Sequence, residues 1–144
     1  MRLTLFGFGL ALALAITLGT QSTISAQEPA AAPPRAMVAA GANNFAQYCV
    51  ACHGKDAKGT GTLAATLKPK PADLTGLTER NGGTFPRDMV FQVIDGKKKV
   101  KGHGGGDMPQ WGDAFLASAG AGDAEAVKRR IESLVEYLAT LQGK

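Results

Sequence analysis

The residues best suited to chemistry are two cysteines and a histidine in the run Cys49-Val50-Ala51-Cys52-His53. Two thiols three positions apart on a helical turn can reach the two vinyl groups of one haem from the same side, and the following imidazole falls under the iron. The spacing therefore predicts one covalently attached haem c, held through Cys49 and Cys52, with His53 as an iron ligand.

Three other uses of these residues are weaker. A structural zinc site needs four ligands, and Cys49, Cys52, His53 and the distant His103 would use every cysteine and histidine of the chain. A thioredoxin-like redox pair would follow a strand in a βαβ pattern, and no such pattern precedes Cys49. A disulfide between the two cysteines is the remaining alternative in an oxidising compartment.

The second axial ligand is predicted to be Met108. It follows the glycine-rich run 102–106 and precedes Pro109. Glycines allow a backbone to approach a flat cofactor closely, and a proline stiffens the chain beside the ligand. His53 and Met108 would then bind iron from opposite faces, a pairing that raises the reduction potential.

Other candidates for this position are less well placed. Met89 lies on the apolar stripe of a predicted helix, where core packing is its expected role, and Met37 opens the first predicted helix on the His53 side. His103 would give a bis-histidine iron with a lower potential, but an exposed loop position is expected for it.

Helical periodicity dominates the domain, and no run alternates as a strand would. Gly41, Phe45 and Cys49 share one face of a first helix, and Gly96 is expected to end a later one. The predicted helices are 37–48, 85–95, 111–118, and a long one capped by Asp123 whose apolar stripe is Val127, Ile131, Leu134, Leu138 and Leu141. The long loops 54–71 and 96–106 would need a cofactor to order them. An all-α domain wrapped around one covalent haem is predicted.

The N-terminal region has the pattern of a secretory signal peptide. A charged start, an apolar run over 3–18 and small residues ending at Ala26 predict a signal peptide at 1–26. A Pro/Ala-rich linker is predicted at 27–36 and the folded domain at 37–144. We therefore expect export to the periplasm and no stable membrane insertion, unless an uncleaved segment anchors the protein.

The motifs resemble those of the class I cytochromes c, an all-α family of single-haem proteins. Gly41, Phe45 and the Cys49–His53 run resemble the family's first helix, and the run from Leu134 to Tyr137 resembles its last helix. The resemblance implies that these helices cross near a right angle, with Gly41 and Phe45 against Leu134 and Tyr137. It also implies an electron carrier and not an enzyme.

The resemblance extends to the haem surroundings. Pro71-Ala72-Asp73-Leu74 resembles a segment in which a proline carbonyl accepts a hydrogen bond from the proximal imidazole, so Pro71 is expected in that role before Pro69. The run from Met108 to Gly112 resembles a Met-Pro-x-Trp-Gly element. Leu74 and Trp111 are thus expected beside the haem, although Trp111 is equally well explained as a partly buried core aromatic with a polar N–H.

Charge offers one local feature. The full chain has a formal net charge of +4 with 16 basic and 12 acidic residues. A chain without residues 1–26 loses only Arg2, which leaves +3. Lys97, Lys98, Lys99 and Lys101 form a basic run that is either a solvated surface or a docking patch for an acidic redox protein. Aromatic residues do not interleave with it, so nucleic acid is not an expected partner.

Three functional interpretations follow from these residues. A single-electron carrier is favoured, because iron held by His53 and Met108 has no open position and no catalytic acid–base pair is evident. The alternative is the haem subunit of a larger dehydrogenase or terminal reductase. A peroxidase-like or gas-binding haem would require that Met108 not bind the iron.

Overall fold

The computed structural model describes residues 35–98, 108–118 and 124–144. Within these ranges all regular structure is helical and no strand occurs, which confirms the all-α prediction. The helices are α1 (Arg35–Tyr48), α2 (Val50–His53), α3 (Leu77–Arg80), α4 (Arg87–Asp95), α5 (Trp111–Ala117) and α6 (Ala124–Thr140), with a 3₁₀ turn at Ala64–Thr66.

The most extensive helix pairing joins α1 and α6. Gly41 makes this approach possible, because a Cβ at that position would overlap the backbone carbonyl of Ser133. Only glycine leaves that space open. One turn further along α1, the ring of Phe45 packs 5.4 Å from that of Tyr137. The expected contacts of Gly41 and Phe45 with Tyr137 are confirmed, and Leu134 is buried in the same core.

The predicted stripe of α6 forms the centre of the hydrophobic core. Its apolar residues recur at helical spacing, so one face of the helix can be buried while charged residues occupy the other. Ile131 and Leu134 are almost completely buried. On the opposite face, Lys128 and Glu132 form an ion pair one turn apart. The predicted stripe is confirmed, whereas Asp123 lies outside the described residues.

Helix α4 begins two residues later than the sequence suggests. The sequence predicts a start at Phe85, but the helix starts at Arg87, and Pro86 is its N-cap with ψ of 69°. A residue before proline is disfavoured in the helical conformation, which keeps Phe85 outside. The predicted end is confirmed: Gly96 has φ of 92° and donates its N–H to the carbonyl of Gln92 at 3.1 Å.

The N-terminal boundary also differs slightly from the prediction. Helix α1 begins at Arg35, so residues 35 and 36 are helical instead of belonging to the linker. The predicted signal peptide and the rest of the linker lie outside the described residues. In the part of the chain that the structure describes, no helix combines the length and apolar character that a membrane crossing requires.

Candidate functional site

The two cysteines and the histidine lie on one turn after α1. Helix α1 ends at Tyr48, and the chain continues through Cys49 into the short helix α2. The Cys49 N–H donates to the carbonyl of Phe45 at 2.9 Å, and the Cys49 carbonyl accepts the N–H of His53 at 2.8 Å. These bonds hold the Cys-x-x-Cys-His run in the geometry that its spacing predicts.

This turn faces a cavity of about 250 Å³. Its walls come from α1 and α2, the 67–80 segment, α4, residues 108–111 and α6, and they are overwhelmingly apolar. All seven residues predicted for the site line it: Cys49, Cys52, His53, Pro71, Leu74, Met108 and Trp111. The fold thus brings together residues up to 62 positions apart in sequence, counted from 49 to 111.

His53 is the most enclosed polar side chain of the cavity, with 6% of its surface exposed. Its Nδ1 lies 3.2 Å from the carbonyl oxygen of Ala72. In the tautomer protonated at Nδ1, the ring donates to that oxygen, and Nε2 is the atom whose lone pair can bind a metal ion.

The carbonyl beside the imidazole corrects one prediction. Pro71 is the residue that the sequence favours for this role, but the acceptor is Ala72, the next residue. The Pro71 carbonyl lies against Gly59, where an added Cβ would overlap it. Pro71 keeps a place in the cavity wall, but its carbonyl does not bond to His53.

Two of the methionines that the structure describes line the cavity. Met108 reaches it from the segment before α5, as predicted, and Met89 reaches it from α4. Core packing is the predicted role of Met89, and the structure places it half-buried on the cavity side of its helix. Either thioether has the chemistry of a soft iron ligand. His103, the other rival, lies outside the described residues.

Trp111 belongs to a cluster of three aromatic rings. Its ring centroid lies 5.3 Å from that of Tyr48 and 5.3 Å from that of Phe115, while Tyr48 and Phe115 are 5.1 Å apart. Such tilted pairs add packing energy beyond area burial. Trp111 therefore packs against the core and also forms part of the cavity wall, and its place beside a haem stays a prediction.

Burial also changes the acidity of the first thiol. The pKa of Cys49 is raised from 9.0 to about 12, chiefly by burial and secondarily by the nearby Cys52. Before any covalent bond forms at its sulfur, the Cys49 side chain is therefore a neutral thiol at physiological pH.

Three residues at the site carry no signal in the sequence. Ala72 contributes only its carbonyl, and Arg80 brings the one cationic side chain to the described cavity wall, where its guanidinium donates to the carbonyl of Asp73. Gln142, just after α6, bonds to the segment that follows Ala72. An isolated arginine or glutamine is common on any helix, so only the fold reveals these contacts.

The basic run is described only in part. Lys97 and Lys98 are exposed, while Lys99 and Lys101 lie outside the described residues. The Nζ of Lys97 lies 2.6 Å from Oδ2 of Asp95, although 79% of the lysine side chain remains exposed. Part of the Lys97 charge is therefore balanced by the Asp95 carboxylate.

The donor set fits a haem. Two thiols on one turn, a buried imidazole whose Nδ1 already contacts a carbonyl, and a thioether all face one apolar cavity. In contrast, the described residues contain no cluster of three or more His, Cys, Asp or Glu side chains arranged to bind a metal ion. An apolar cavity suits a porphyrin, and a few soft or imidazole ligands suit its iron.

Comparison with known proteins identifies a family. Residues 36–138 match the family model described as "Cytochrome C oxidase, cbb3-type, subunit III". No curated protein and no solved structure matches the chain. The matched region begins just inside α1 and ends at Leu138 in α6, so it contains every described residue that lines the cavity.

Proposed function

This chain belongs to the cytochrome c oxidase, cbb3-type, subunit III family of c-type cytochromes, and we propose that it is an exported carrier of single electrons. Its chemistry is haem-based electron transfer. The proposal adds one haem, bound covalently through Cys49 and Cys52, with His53 and Met108 as axial ligands. The observation that carries it is the convergence of these four side chains on one apolar cavity.

A bound haem supplies a one-electron couple between ferric and ferrous iron. The chain's own residues determine what that couple can do. Cys49 and Cys52 would hold the porphyrin by thioether bonds, and the Ala72 carbonyl orients His53 for binding through Nε2. Arg80 brings a positive charge to the cavity wall, which would help to balance the negative charge of a haem propionate.

The ligand set favours a carrier over an enzyme. If His53 and Met108 both bind the iron, it would have no open position for a substrate. No Asp or Glu side chain lines the described cavity wall, and its one imidazole, that of His53, is committed to the iron in this proposal. The function is therefore outer-sphere electron transfer.

The decisive experiment compares the two methionines of the cavity. Met108→Leu and Met89→Leu remove one thioether each while keeping similar volume. Visible spectra and a redox titration are recorded for the purified holoprotein and both variants. We expect Met108→Leu to lose the low-spin spectrum, bind small exogenous ligands and lower the reduction potential, because the thioether favours ferrous iron.

Met89→Leu is the matched control and should keep the wild-type spectrum. The opposite result would assign the ligand to Met89. His103→Ala is measured beside them, and a loss of the low-spin spectrum in that variant would replace His/Met ligation by bis-histidine ligation. A wild-type ferric protein that is already high-spin would contradict the closed, six-coordinate carrier.

A second candidate function is supported by the family itself, whose description names a subunit of an oxidase. In that alternative the same haem serves a permanent complex, a larger dehydrogenase or terminal reductase. Gel filtration of the native protein under mild conditions distinguishes the two. A free carrier elutes at the size of the monomer, and a subunit co-elutes with its haem partner.

The basic run is proposed as the docking site for an acidic redox protein. Lys97 and Lys98 are exposed beside the C-terminal end of α4, a helix that lines the cavity. Charge attraction across such a surface would raise the association rate and would be screened by salt. The proposed patch also includes Lys99 and Lys101.

Charge neutralisation tests this docking proposal. We expect an acidic partner to reduce the fourfold variant more slowly than the wild type, and the rate to depend less on salt. In this variant four lysines are changed to Gln: Lys97, Lys98, Lys99 and Lys101. Lys128→Gln is the control, because Lys128 is exposed and paired with an acid as Lys97 is, but on α6. An unchanged rate and salt slope in the fourfold variant would remove the docking site.

Periplasmic location is proposed from the leader pattern of residues 1–26. Mass spectrometry of the mature holoprotein tests it directly. We expect a chain that starts at Gln27 and carries the mass of one haem. An intact N-terminus in a membrane fraction would indicate an anchored protein instead.

A further inference from the structure

The glutamine that follows α6 makes contacts that electron transfer itself does not require. The side-chain amide of Gln142 accepts the backbone N–H of Thr78 at 2.9 Å through Oε1. Its Nε2 donates to the carbonyl of Leu74 at 2.9 Å and to the carbonyl of Leu138 at 2.8 Å. The side chain is thus anchored on its own helix and holds the 74–78 segment at two points.

The partners fix the orientation of this amide. Two carbonyl oxygens require the –NH₂ group, and one N–H requires the oxygen. The reversed amide would place its oxygen against two acceptors and its –NH₂ group against a donor. A glutamate could satisfy only the Thr78 N–H in its ionised form. The geometry therefore demands glutamine and not a generic polar residue.

The same segment is held from two further directions. The N–H of Gly143 donates to the carbonyl of Thr75 at 3.0 Å, and the N–H of Leu74 donates to the carbonyl of Ala57 at 2.8 Å. Ala57 is fully buried with φ of 59°. Left-handed backbone is costly for a residue with a side chain. The backbone is therefore strained at Ala57, the residue whose carbonyl accepts the Leu74 N–H.

These bonds end two residues from the carbonyl that contacts the imidazole. Ala72 accepts from His53 Nδ1 at 3.2 Å, and Leu74 is pinned between Ala57 and Gln142. A shift of Leu74 would therefore move the Ala72 oxygen relative to the ring. A ligand imidazole depends on such a partner for its orientation and its basicity.

We infer that Gln142 is a positioning residue that holds the Ala72 carbonyl against the His53 imidazole and so sets the electron-donating strength of this ligand. The inference rests on the proposed function, in which His53 binds the haem iron. This role links the residue that follows α6 to the His53 side of the cavity through the 72–78 segment, which is distant from α6 in sequence.

The test uses the purified ferrous holoprotein and two variants. Gln142→Leu removes both the donor and the acceptor, and Gln142→Glu keeps the acceptor but turns a carboxylate toward two carbonyl oxygens. The readouts are the hydrogen-exchange rate of the His53 Nδ1–H by NMR and the reduction potential. Val127→Ala is the control, because Val127 is buried on α6, is not among the residues of the described cavity wall and takes no part in the hydrogen bonds of Gln142. Its truncation lowers the stability of the core and leaves those hydrogen bonds in place.

We expect the His53 Nδ1–H of both Gln142 variants to exchange about fivefold faster, the factor that loss of one net hydrogen bond produces. The reduction potential should rise, because a less basic imidazole stabilises ferric iron less. Val127→Ala should leave both quantities at the wild-type value.

Each outcome is informative. Wild-type exchange and potential in both Gln142 variants would overturn the inference, as would an equal change in Val127→Ala, because general destabilisation would then explain it. If the wild-type protein contains no haem ligated by His53, the proposed function fails first, before any variant is compared. A change confined to the Gln142 variants supports the inference.

Discussion

The two walls of the cavity are held by different kinds of interaction. The His53 wall (residues 49–80) is fixed mainly through its backbone: the N–H of Gly59 donates to the His53 carbonyl at 2.8 Å, and the N–H of Gly61 donates to the Cys52 carbonyl at 3.2 Å. The Met108 wall (α4 and residues 108–118) is fixed mainly by side-chain packing, with the three aromatic rings around Trp111 at its centre.

This difference corresponds to what each proposed ligand needs. An imidazole binds through one ring nitrogen and must have its other nitrogen partnered, so its direction matters, and directional hydrogen bonds supply it. A thioether has no N–H to orient and binds wherever its sulfur can reach the iron. Dense packing around a flexible methionine is sufficient for that purpose.

Crowding the backbone of the His53 wall should have the largest effect. Gly59 has φ of 76°, and an added Cβ would overlap the Pro71 carbonyl. Left-handed strain and overpacking together should lower the free energy of unfolding of Gly59→Ala by roughly 2–5 kcal/mol. Denaturant unfolding measures this, and haem incorporation should fall with it.

Gly82→Ala is the matched control for that loss. Gly82 has φ of 69° but no atom within 4 Å of an added Cβ. Because only left-handed strain acts there, the free energy of unfolding should fall by about 1–2 kcal/mol. If both variants lose the same free energy of unfolding, the backbone of the His53 wall can move to make room for a Cβ. That result would contradict the view that backbone contacts fix this wall.

Opening the Met108 wall should have the next largest effect. Trp111→Ala removes ring contacts with Tyr48 and Phe115, and we expect it to lower the free energy of unfolding by roughly 2–4 kcal/mol, since Trp111 is only half-buried. Trp111→Phe keeps an aromatic ring and should lose less than about 1.5 kcal/mol. If Trp111→Ala also loses less than about 1 kcal/mol, ring packing does not hold this wall.

A smaller substitution distinguishes a residue that lines the cavity from one that lies only in the helical core. Ile94 and Ile131 are both buried, but only Ile94 lines the cavity. Each Ile→Val change should lower the free energy of unfolding by about 1 kcal/mol. Only Ile94→Val should also alter the visible spectrum of the holoprotein. A spectral change in Ile131→Val would show that the wall and the helical core are not separable.

The smallest effect is expected at the surface of the His53 wall. The pKa of Asp73 is lowered from 3.8 by hydrogen bonds from the Thr75 hydroxyl and then the Thr75 N–H. A lowered pKa in the folded state means that the charged form stabilises the fold above the ordinary pKa. That contribution disappears as the pH falls through the folded pKa.

Asp73→Asn should therefore be less stable than the wild type at neutral pH, by less than about 1 kcal/mol because the carboxylate is exposed. The difference should shrink as the pH falls below about 4. Thermal unfolding of both proteins at about pH 7 and again at about pH 3 measures this change. A difference that stays constant with pH would assign the loss to something other than the charge.

Local features of the site were predictable, and non-local ones were not. Cys49 to His53 lie within one helical turn, so their spacing alone defines their relative positions. The choice between the Pro71 and Ala72 carbonyls depends on how the chain passes Gly59, which no local pattern encodes. For the same reason the apolar stripe predicts Met89 in the core, and its place on the cavity wall is visible only in the fold.

The sequence by itself determined the all-α class, the helical stripe of α6 and the residue types at the site. Periodicity and spacing are short-range properties that a chain carries before it folds. Tertiary structure decided which carbonyl meets His53, that Arg80 and Gln142 belong to the site, and how each wall is held. Those outcomes depend on contacts between segments distant in sequence, where packing and hydrogen-bond satisfaction of the whole domain select one arrangement.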